Sequence, residues 1–257
     1  MSTATGTAGA PAAQPRAGAR RLLRHWVPPQ HGAWAMLLLP FAVGALRAGP
    51  GWIHLPLLVA WLAGYLFSYY GQLAIKTRTV TRVRPQLLGY GAITVAAGLP
   101  VVLARPALLW AAPAMAPLLA VNAWYARRRR ERALPNGIAS VVQSSLMTFV
   151  AAAAVGFAPV RVAGDAVALL LYFVGSLLYV KTMIRERGDV RYLRASIGFH
   201  VLAVAVAGWL SPLLLVPFGW LLVRAVVMPR RNPSVKQVGL LELPPSLLLV
   251  AVLLLVG

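Results

Sequence analysis

The sequence contains no cysteine and very few carboxylates. The absence of cysteine excludes disulfide bonds, thiolate metal sites and cysteine nucleophiles from all 257 residues. Asp and Glu together number 5, against 25 Lys and Arg. Any metal site or general acid must therefore be drawn from five side chains, which are Glu131, Asp165, Glu186, Asp189 and Glu242. This shortage favours a role other than carboxylate-dependent catalysis, although the sequence alone does not decide whether the chain is an enzyme.

Charged residues of any kind are also scarce. Only 12% of residues are charged, 60% are hydrophobic and the mean hydropathy is +0.73. A soluble domain of this length needs a more polar surface. The net charge of +20 could indicate nucleic-acid binding. However, the Lys and Arg residues form short clusters between apolar runs, which is typical of a membrane protein whose cationic face meets anionic lipid. We therefore expect membrane lipid, and no nucleic acid, as a partner.

Nine apolar segments divide the chain after its N-terminal tail. Several are shorter than the roughly 20 residues that cross a bilayer without tilt, but flanking long side chains can extend to the interface. The hydropathy pattern predicts an all-α, polytopic bundle of about nine transmembrane helices. The predicted spans are 33–46, 53–75, 86–103, 107–125, 137–157, 166–180, 195–210, 212–228 and 238–256.

The connections between these segments alternate between strongly basic and nearly uncharged. The N-terminal tail and the even-numbered connections carry 22 of the 25 Lys and Arg residues, and the odd-numbered connections carry 3. Because positive residues next to transmembrane helices remain cytoplasmic, this alternation predicts an N-terminus inside and a C-terminus outside. It indicates a multi-pass protein of the bacterial cytoplasmic (inner) membrane. Residues 1–24 are rich in Ala, Gly, Thr and Pro without an apolar run, so we expect a disordered basic tail, not a signal peptide, before a single membrane domain at 25–257.

The connection between the second and third segments carries cations and hydroxyls but no carboxylate. Lys76, Arg78 and Arg82 alternate here with three threonines in residues 76–85. Cations and hydroxyls at helix ends suit phosphate or another anion. The alternative is that these charges only set the topology.

The connection between the sixth and seventh segments is the richest in ionisable groups. It contains Lys181 and Arg185, followed by Glu186 and Asp189. If the sixth helix continues through both carboxylates, they share a face and could hold one Mg²⁺ together with substrate phosphates. The alternative is that they pair with neighbouring cations. No other cofactor is indicated.

Three further polar residues lie in or near the apolar segments. His31 stands beside Gly32 at the mouth of the first span, which makes it a candidate for the same anion site. His200 lies inside the seventh span, where a neutral imidazole can pair with a carbonyl or hydroxyl group. Glu242 lies within the ninth span and needs a cationic partner, for which Arg224 or an arginine from another connection is better placed than Lys236.

Three sequence runs resemble the YwiC-like family of bacterial membrane proteins. They are Pro-Gln-His-Gly-Ala-Trp-Ala-Met (29–36), Tyr-Val-Lys-Thr-Met-Ile-Arg-Glu-Arg (179–187) and Asn-Pro-Ser-Val-Lys-Gln-Val-Gly-Leu-Leu-Glu (232–242). The chain more distantly resembles the UbiA-type intramembrane prenyltransferases, which have nine helices and active-site loops after helices two and six. In that superfamily both loops carry Asp-rich motifs for Mg²⁺ and a prenyl diphosphate. Here the first motif is absent, since 76–85 is cationic, and the second is reduced to Glu186 and Asp189.

These observations predict a UbiA-like bundle with a cationic cavity open to the cytoplasm. We expect His31, Lys76, Arg78, Arg82, Lys181 and Arg185 to bind an anionic, lipid-linked or prenyl-type ligand, with Lys and Arg replacing Mg²⁺ in phosphate neutralisation. A prenyltransferase with a single metal at Glu186 and Asp189 is one alternative. A transporter or a non-catalytic membrane scaffold is another. The oligomeric state is left open.

Overall fold

The computed structural model describes residues 26–28, 31–231 and 233–256, without the side chains of residues 31, 235 and 236. Residues 1–30 and 31–257 form separate units, and the fold below is that of the second unit. The expected basic tail, residues 1–24, lies outside the described residues.

The second unit is built from ten α-helices with short 3₁₀ turns between some of them. No strand occurs within the described ranges, which confirms the all-α prediction. The helices are α1 (His31–Ala48), α2 (His54–Thr77), α3 (Arg84–Ala104), α4 (Ala111–Arg127), α5 (Leu134–Ala154), α6 (Ala163–Ile184), α7 (Val190–Leu210), α8 (Leu215–Arg231), α9 (Val235–Leu240) and α10 (Leu243–Val256).

The number of membrane-spanning segments matches the hydropathy pattern. Eight helical segments from α2 to α10 are long and apolar enough to cross a membrane, with α9 and α10 together forming one segment, Gln237–Val256. The shorter apolar helix Gly32–Ala48 supplies a ninth. The chain is therefore a multi-pass membrane protein of helical type.

Helices α5 and α6 form the centre of the bundle. In the segments that contain these two helices, 56% of the most apolar stretch of residues is buried by the rest of the protein. In the segment that contains α3 the buried share is 6%, so α3 faces lipid. Helix α1 packs along α5 so closely that a methyl group on Gly44 would overlap the backbone carbonyl of Thr148. Close approach through small residues is the usual way for membrane helices to gain packing energy.

The basic connections lie together at one end of the bundle. The end of α2 contacts the connection between α4 and α5 through Lys76 and Glu131. The same connection contacts the end of α6 through Arg132 and Lys181. The connection after α6 contacts the one after α8 through Arg187 and Pro233. We call this the basic end. Contacts of Arg47 with Asp165 and of Arg105 with Ala154 mark the opposite end.

Three details differ from the sequence prediction. Helix α6 ends at Ile184, so Glu186 and Asp189 do not share a face of that helix. Helix α7 begins at Val190, five residues before the predicted span, because the Asp189 carboxylate accepts hydrogen bonds from two backbone amides and caps the helix. The ninth span is not continuous but breaks between α9 and α10.

The break in the ninth span falls at Leu241 and Glu242. Pro244 and Pro245 at the start of α10 have no amide hydrogen, so the break exposes few unpaired donors to an apolar environment. The Glu242 carbonyl accepts a hydrogen bond from the hydroxyl of Tyr172 at 3.2 Å. The broken backbone is thus partly satisfied by a side chain of the central helix α6.

Candidate functional site

The first polar cluster lies at the basic end and begins with an ion pair. Lys76, in the last turn of α2, places its Nζ 2.7 Å from Oε1 of Glu131 in the connection after α4. Burial acts to raise the pKa of the Glu131 carboxyl, but the hydrogen bond from Lys76, a backbone hydrogen bond and the charges of Lys76 and Arg132 outweigh it. The pKa of Glu131 therefore lies below its ordinary value.

The next residue of the same connection contacts the second predicted lysine. Lys181 donates a hydrogen bond to the backbone carbonyl of Arg132 at 3.1 Å, and its Nζ lies 3.6 Å from Oε1 of Glu186. The same Nζ lies 5.9 Å from the centre of the Tyr192 ring. Residues 131 and 132 therefore join the ends of α2 and α6, which are more than 100 residues apart in sequence.

Two asparagines hold this connection in place. Asn136 donates to the backbone carbonyl of Glu131 at 2.7 Å. Asn122 donates to the side-chain oxygen of Asn136 at 2.8 Å and to the Ser140 hydroxyl at 3.2 Å. Both asparagines are buried, so this network fixes the connection between α4 and α5 against the helices it joins.

Arg185 completes the basic cluster. It follows α6 directly and is exposed, as is Arg132. Burial and then the neighbouring charge of Arg132 lower the pKa of the Arg185 guanidinium, against the opposing effect of Glu186. Both arginines adjoin Lys181, since the Arg132 carbonyl accepts from Lys181 Nζ at 3.1 Å and the Arg185 amide donates to the Lys181 carbonyl at 2.9 Å. We call Lys76, Glu131, Arg132, Lys181 and Arg185 the basic cluster.

The other predicted anion ligands stand apart from these contacts. Arg78 adopts a left-handed conformation at the end of α2, and Arg82 lies in a 3₁₀ turn; both are exposed. The side chain of His31 lies outside the described residues, so its proposed place in the site stays a prediction.

The two candidate metal ligands have other partners. Oδ1 of Asp189 accepts the backbone amides of Arg191 and Tyr192 at 2.8 and 3.1 Å, and Glu186 approaches Lys181. Among the described residues, no three His, Asp or Glu side chains form a group that could hold a metal ion. Both carboxylates of this pair are engaged by groups of the protein, which leaves them poorly placed to hold a Mg²⁺ ion. We therefore derive no metal-dependent step, and a metal at this pair stays a prediction.

A second polar cluster lies inside the membrane segments. Arg224 on α8 donates from Nη1 to Oε1 of Glu242 at the helix break, so the partner is the first of the two alternatives that the sequence left open. The second carboxylate oxygen accepts a hydrogen bond from the Ser176 hydroxyl at 2.7 Å. The Arg224 guanidinium lies over the Tyr179 ring, 4.0 Å from its centre. Arg224 was grouped with the basic connections by sequence, but the structure buries it within α8.

His200 adjoins this cluster and has the backbone partner expected of a buried histidine. Its Nδ1 lies 2.7 Å from the backbone carbonyl of Ser196, one turn earlier in α7. On the facing helix α6, Gly175 leaves room for the ring, since a Cβ at that position would lie 3.1 Å from Nε2 of His200.

The contacts of Glu131 with Lys76 and of Arg132 with Lys181 were not predicted from the sequence. The contact of Arg224 with Tyr179 was not predicted either. A usable signal for the first was Glu131 itself, the only carboxylate within the arginine run 127–132. The signal for the second was an arginine placed inside an apolar segment.

The three cations at the opposite end each have a local partner. Nε of Arg47 lies 2.8 Å from Oδ2 of Asp165. Arg105 donates to the carbonyl of Ala154 at the end of α5, and Arg161 stacks on the Phe157 ring. Local contacts therefore account for these exceptions to the charge pattern.

Comparison with known proteins places the chain in one protein family. The family model described as "YwiC-like protein" matches residues 27–152. The "Uncharacterized protein YwiC" of Bacillus subtilis (strain 168) is 34% identical over 234 residues, covering 88% of this chain and 96% of that protein. An "Uncharacterized protein" of Haemophilus influenzae is 33% identical, covering 83% and 90%. No solved structure gives a significant match.

Proposed function

Because this chain belongs to the YwiC-like family of multi-pass membrane proteins, we propose from its geometry that it binds the anionic headgroup of a lipid-linked ligand at the basic cluster. In this proposal the basic end of the bundle faces the cytoplasm of a bacterial cell, and the helices lie in the inner membrane. Binding relies on Lys and Arg without Mg²⁺.

The arrangement of Arg132 and Arg185 around Lys181 carries the proposal. Lys181 Nζ donates to the Arg132 carbonyl at 3.1 Å, and the Arg185 amide donates to the Lys181 carbonyl at 2.9 Å, so an anion at these residues would meet three positive side chains and accept several charge-assisted hydrogen bonds. The Lys181 ammonium group is partly buried. This grouping matches a phosphate, which presents several acceptor oxygens.

The carboxylates at the basic end do not neutralise this surplus of positive charge. Glu131 is engaged by Lys76, Glu186 lies next to Lys181, and Asp189 caps α7. Each of these three carboxylates therefore already has a partner within the protein. The exposed arginines are left available for an external anion.

The position of the cluster favours a ligand that is anchored in the membrane. The cluster lies where α2 and α6 leave the apolar region, and the exposed side chains of Ile75 and Ile184 adjoin it on these helices. A phosphate group at this depth can keep its hydrocarbon chain in the bilayer. A UbiA-like architecture would place the phosphate and the hydrocarbon chain of the ligand in this way. This part of the proposal rests on the resemblance of the chain's topology to that of the UbiA-type proteins.

Thermal unfolding of the purified protein in neutral detergent tests the proposal. Farnesyl phosphate is expected to raise the Tm, whereas farnesol is expected to leave it unchanged because it lacks the phosphate. The double variant Arg132→Gln/Arg185→Gln should lose the shift. Arg230→Gln is the matched control, since Arg230 is another arginine of the basic end that contacts only the carbonyl of Val226 among described residues. Equal shifts with farnesol, or a full shift in the double variant, would refute the proposal.

The same protein sample addresses the prenyltransferase alternative. Incubation with farnesyl diphosphate and Mg²⁺ should release no diphosphate if the basic cluster only binds its ligand. Release that is lost in Glu186→Gln would instead assign a transferase activity to that loop.

A further inference from the structure

The intramembrane cluster contains several polar atoms that no described residue satisfies. These are Nε and Nη2 of Arg224, the hydroxyl of Tyr179 and Nε2 of His200. The three residues are 4%, 0% and 2% exposed, so bulk water does not reach them. A buried polar group without a partner costs free energy, and this cost is greatest for a charged group. A cluster of such atoms inside a membrane protein therefore indicates a ligand.

The three side chains converge on one stripe of the central helix α6. Gly175 and Tyr179 lie one turn apart on this helix, and Nε2 of His200 adjoins Gly175 while the Arg224 guanidinium lies on the Tyr179 ring. The Arg224–Glu242 pair closes the cluster at the break of the ninth span, a feature that marks binding sites in many membrane transporters.

The unpartnered atoms define the chemistry of the ligand. Arg224 uses Nη1 for Glu242, which leaves Nε and Nη2, the two donors on one edge that match both oxygens of a carboxylate. His200 presents the opposite character. Because the Ser196 carbonyl can only accept, Nδ1 of His200 carries the hydrogen and Nε2 of the neutral ring is an acceptor.

The charges in the cluster restrict the ligand further. Arg224 and Glu242 neutralise each other, so a bare anion would leave an unbalanced charge inside the membrane. A carboxylic acid brings its own proton and enters as a neutral molecule. Its O–H bond breaks, the proton moves to Nε2 of His200, and the resulting carboxylate pairs with Arg224. The total charge does not change.

We propose that Arg224, Tyr179 and His200 form an intramembrane binding site for a monocarboxylic acid, taken up together with its proton. This site is distinct from the basic cluster and does not depend on the function proposed for it.

Two conservative variants test the site without disturbing the ion pair. Tyr179→Phe removes only the unpartnered hydroxyl and keeps the ring under Arg224. His200→Asn keeps a donor in the place of Nδ1 for the Ser196 carbonyl and removes Nε2. Tyr179→Phe removes no hydrogen bond found among the described residues and His200→Asn keeps the one to Ser196, so both variants should fold.

The probe is octanoic acid, with octanol as the control that lacks the carboxyl group. Octanoic acid is expected to raise the Tm of the wild-type protein, and half-saturation should shift about tenfold to higher concentration in each variant, as expected for the loss of one strong hydrogen bond. Tyr192→Phe, which removes another unpartnered hydroxyl outside this cluster, should bind normally. So should Arg132→Gln/Arg185→Gln, which separates this site from the basic cluster.

Three outcomes would overturn the proposal. One is an equal Tm shift with octanol. Another is unchanged binding in both Tyr179→Phe and His200→Asn. The third is an experimental structure in octanoic acid that shows only ordered water at Arg224 Nε, Tyr179 and His200 Nε2. A carboxyl carbon resonance of labelled octanoic acid at the position of the ionised form, when bound, would confirm the transfer of the proton.

Discussion

Removal of Arg224 tests whether the buried ion pair behaves as a unit. The side chains of Arg224 and Glu242 are 3% and 19% exposed, so Arg224→Met leaves a carboxylate in the protein interior whose one remaining donor among the described residues is the Ser176 hydroxyl. Breaking a buried pair from one side costs about 3–5 kcal/mol. We expect a loss of unfolding free energy in that range.

The double variant Arg224→Met/Glu242→Gln removes both charges together. Replacement of an entire buried pair is often close to neutral, so this variant should be more stable than Arg224→Met alone. Titration with a denaturing detergent, followed by helical circular dichroism, measures the four free energies of the cycle. The coupling between the two sites should reach about 2 kcal/mol or more.

The pair of Lys76 with Glu131 provides a matched comparison. Its side chains are 42% and 27% exposed, and exposed pairs contribute about 0.2–1 kcal/mol. The cycle Lys76→Met with Glu131→Gln should therefore show a coupling well below that of Arg224 with Glu242. Additive effects of Arg224→Met and Glu242→Gln would refute the reasoning, because they would mean that neither charge depends on the other.

The remaining predictions concern packing, capping and topology. Gly44→Ala should destabilise the protein by about 1–3 kcal/mol in the same titration, because the new methyl group meets the Thr148 carbonyl; a stability equal to wild type would contradict the close packing of α1 and α5. Asp189→Ala should cost about 1 kcal/mol through loss of the α7 cap, while Asp189→Ser should recover most of it; equal losses in both would count against capping. In the cysteine-free chain, a single cysteine can replace Thr79 or Val160, which are exposed at opposite ends of the bundle. A membrane-impermeant thiol reagent should reach the two positions from opposite sides of the membrane, and the cysteine at position 79 should be protected in intact cells. Labelling of both from outside would overturn the topology.

Local structure at the helix ends was only partly predictable. The hydropathy pattern located α7, but its start depends on one carboxylate that accepts two amides, and the same Asp189 was also a reasonable metal ligand. The charge pattern likewise counted Arg224 among the basic connections, although Arg224 was also a candidate partner for Glu242. The structure buries Arg224 within α8 and pairs it with Glu242 at the helix break.

The sequence by itself determined the class of protein, the number and order of its apolar segments and the alternation of basic connections. These properties depend on composition within short windows, so they hold whatever the helices pack against. The tertiary structure alone decided that Lys76 and Lys181 meet residues 131 and 132, and that the Arg224–Glu242 pair contacts Tyr179 and Ser176. Such contacts join residues from different helices, and the energy of each depends on burial, which only the packed bundle sets.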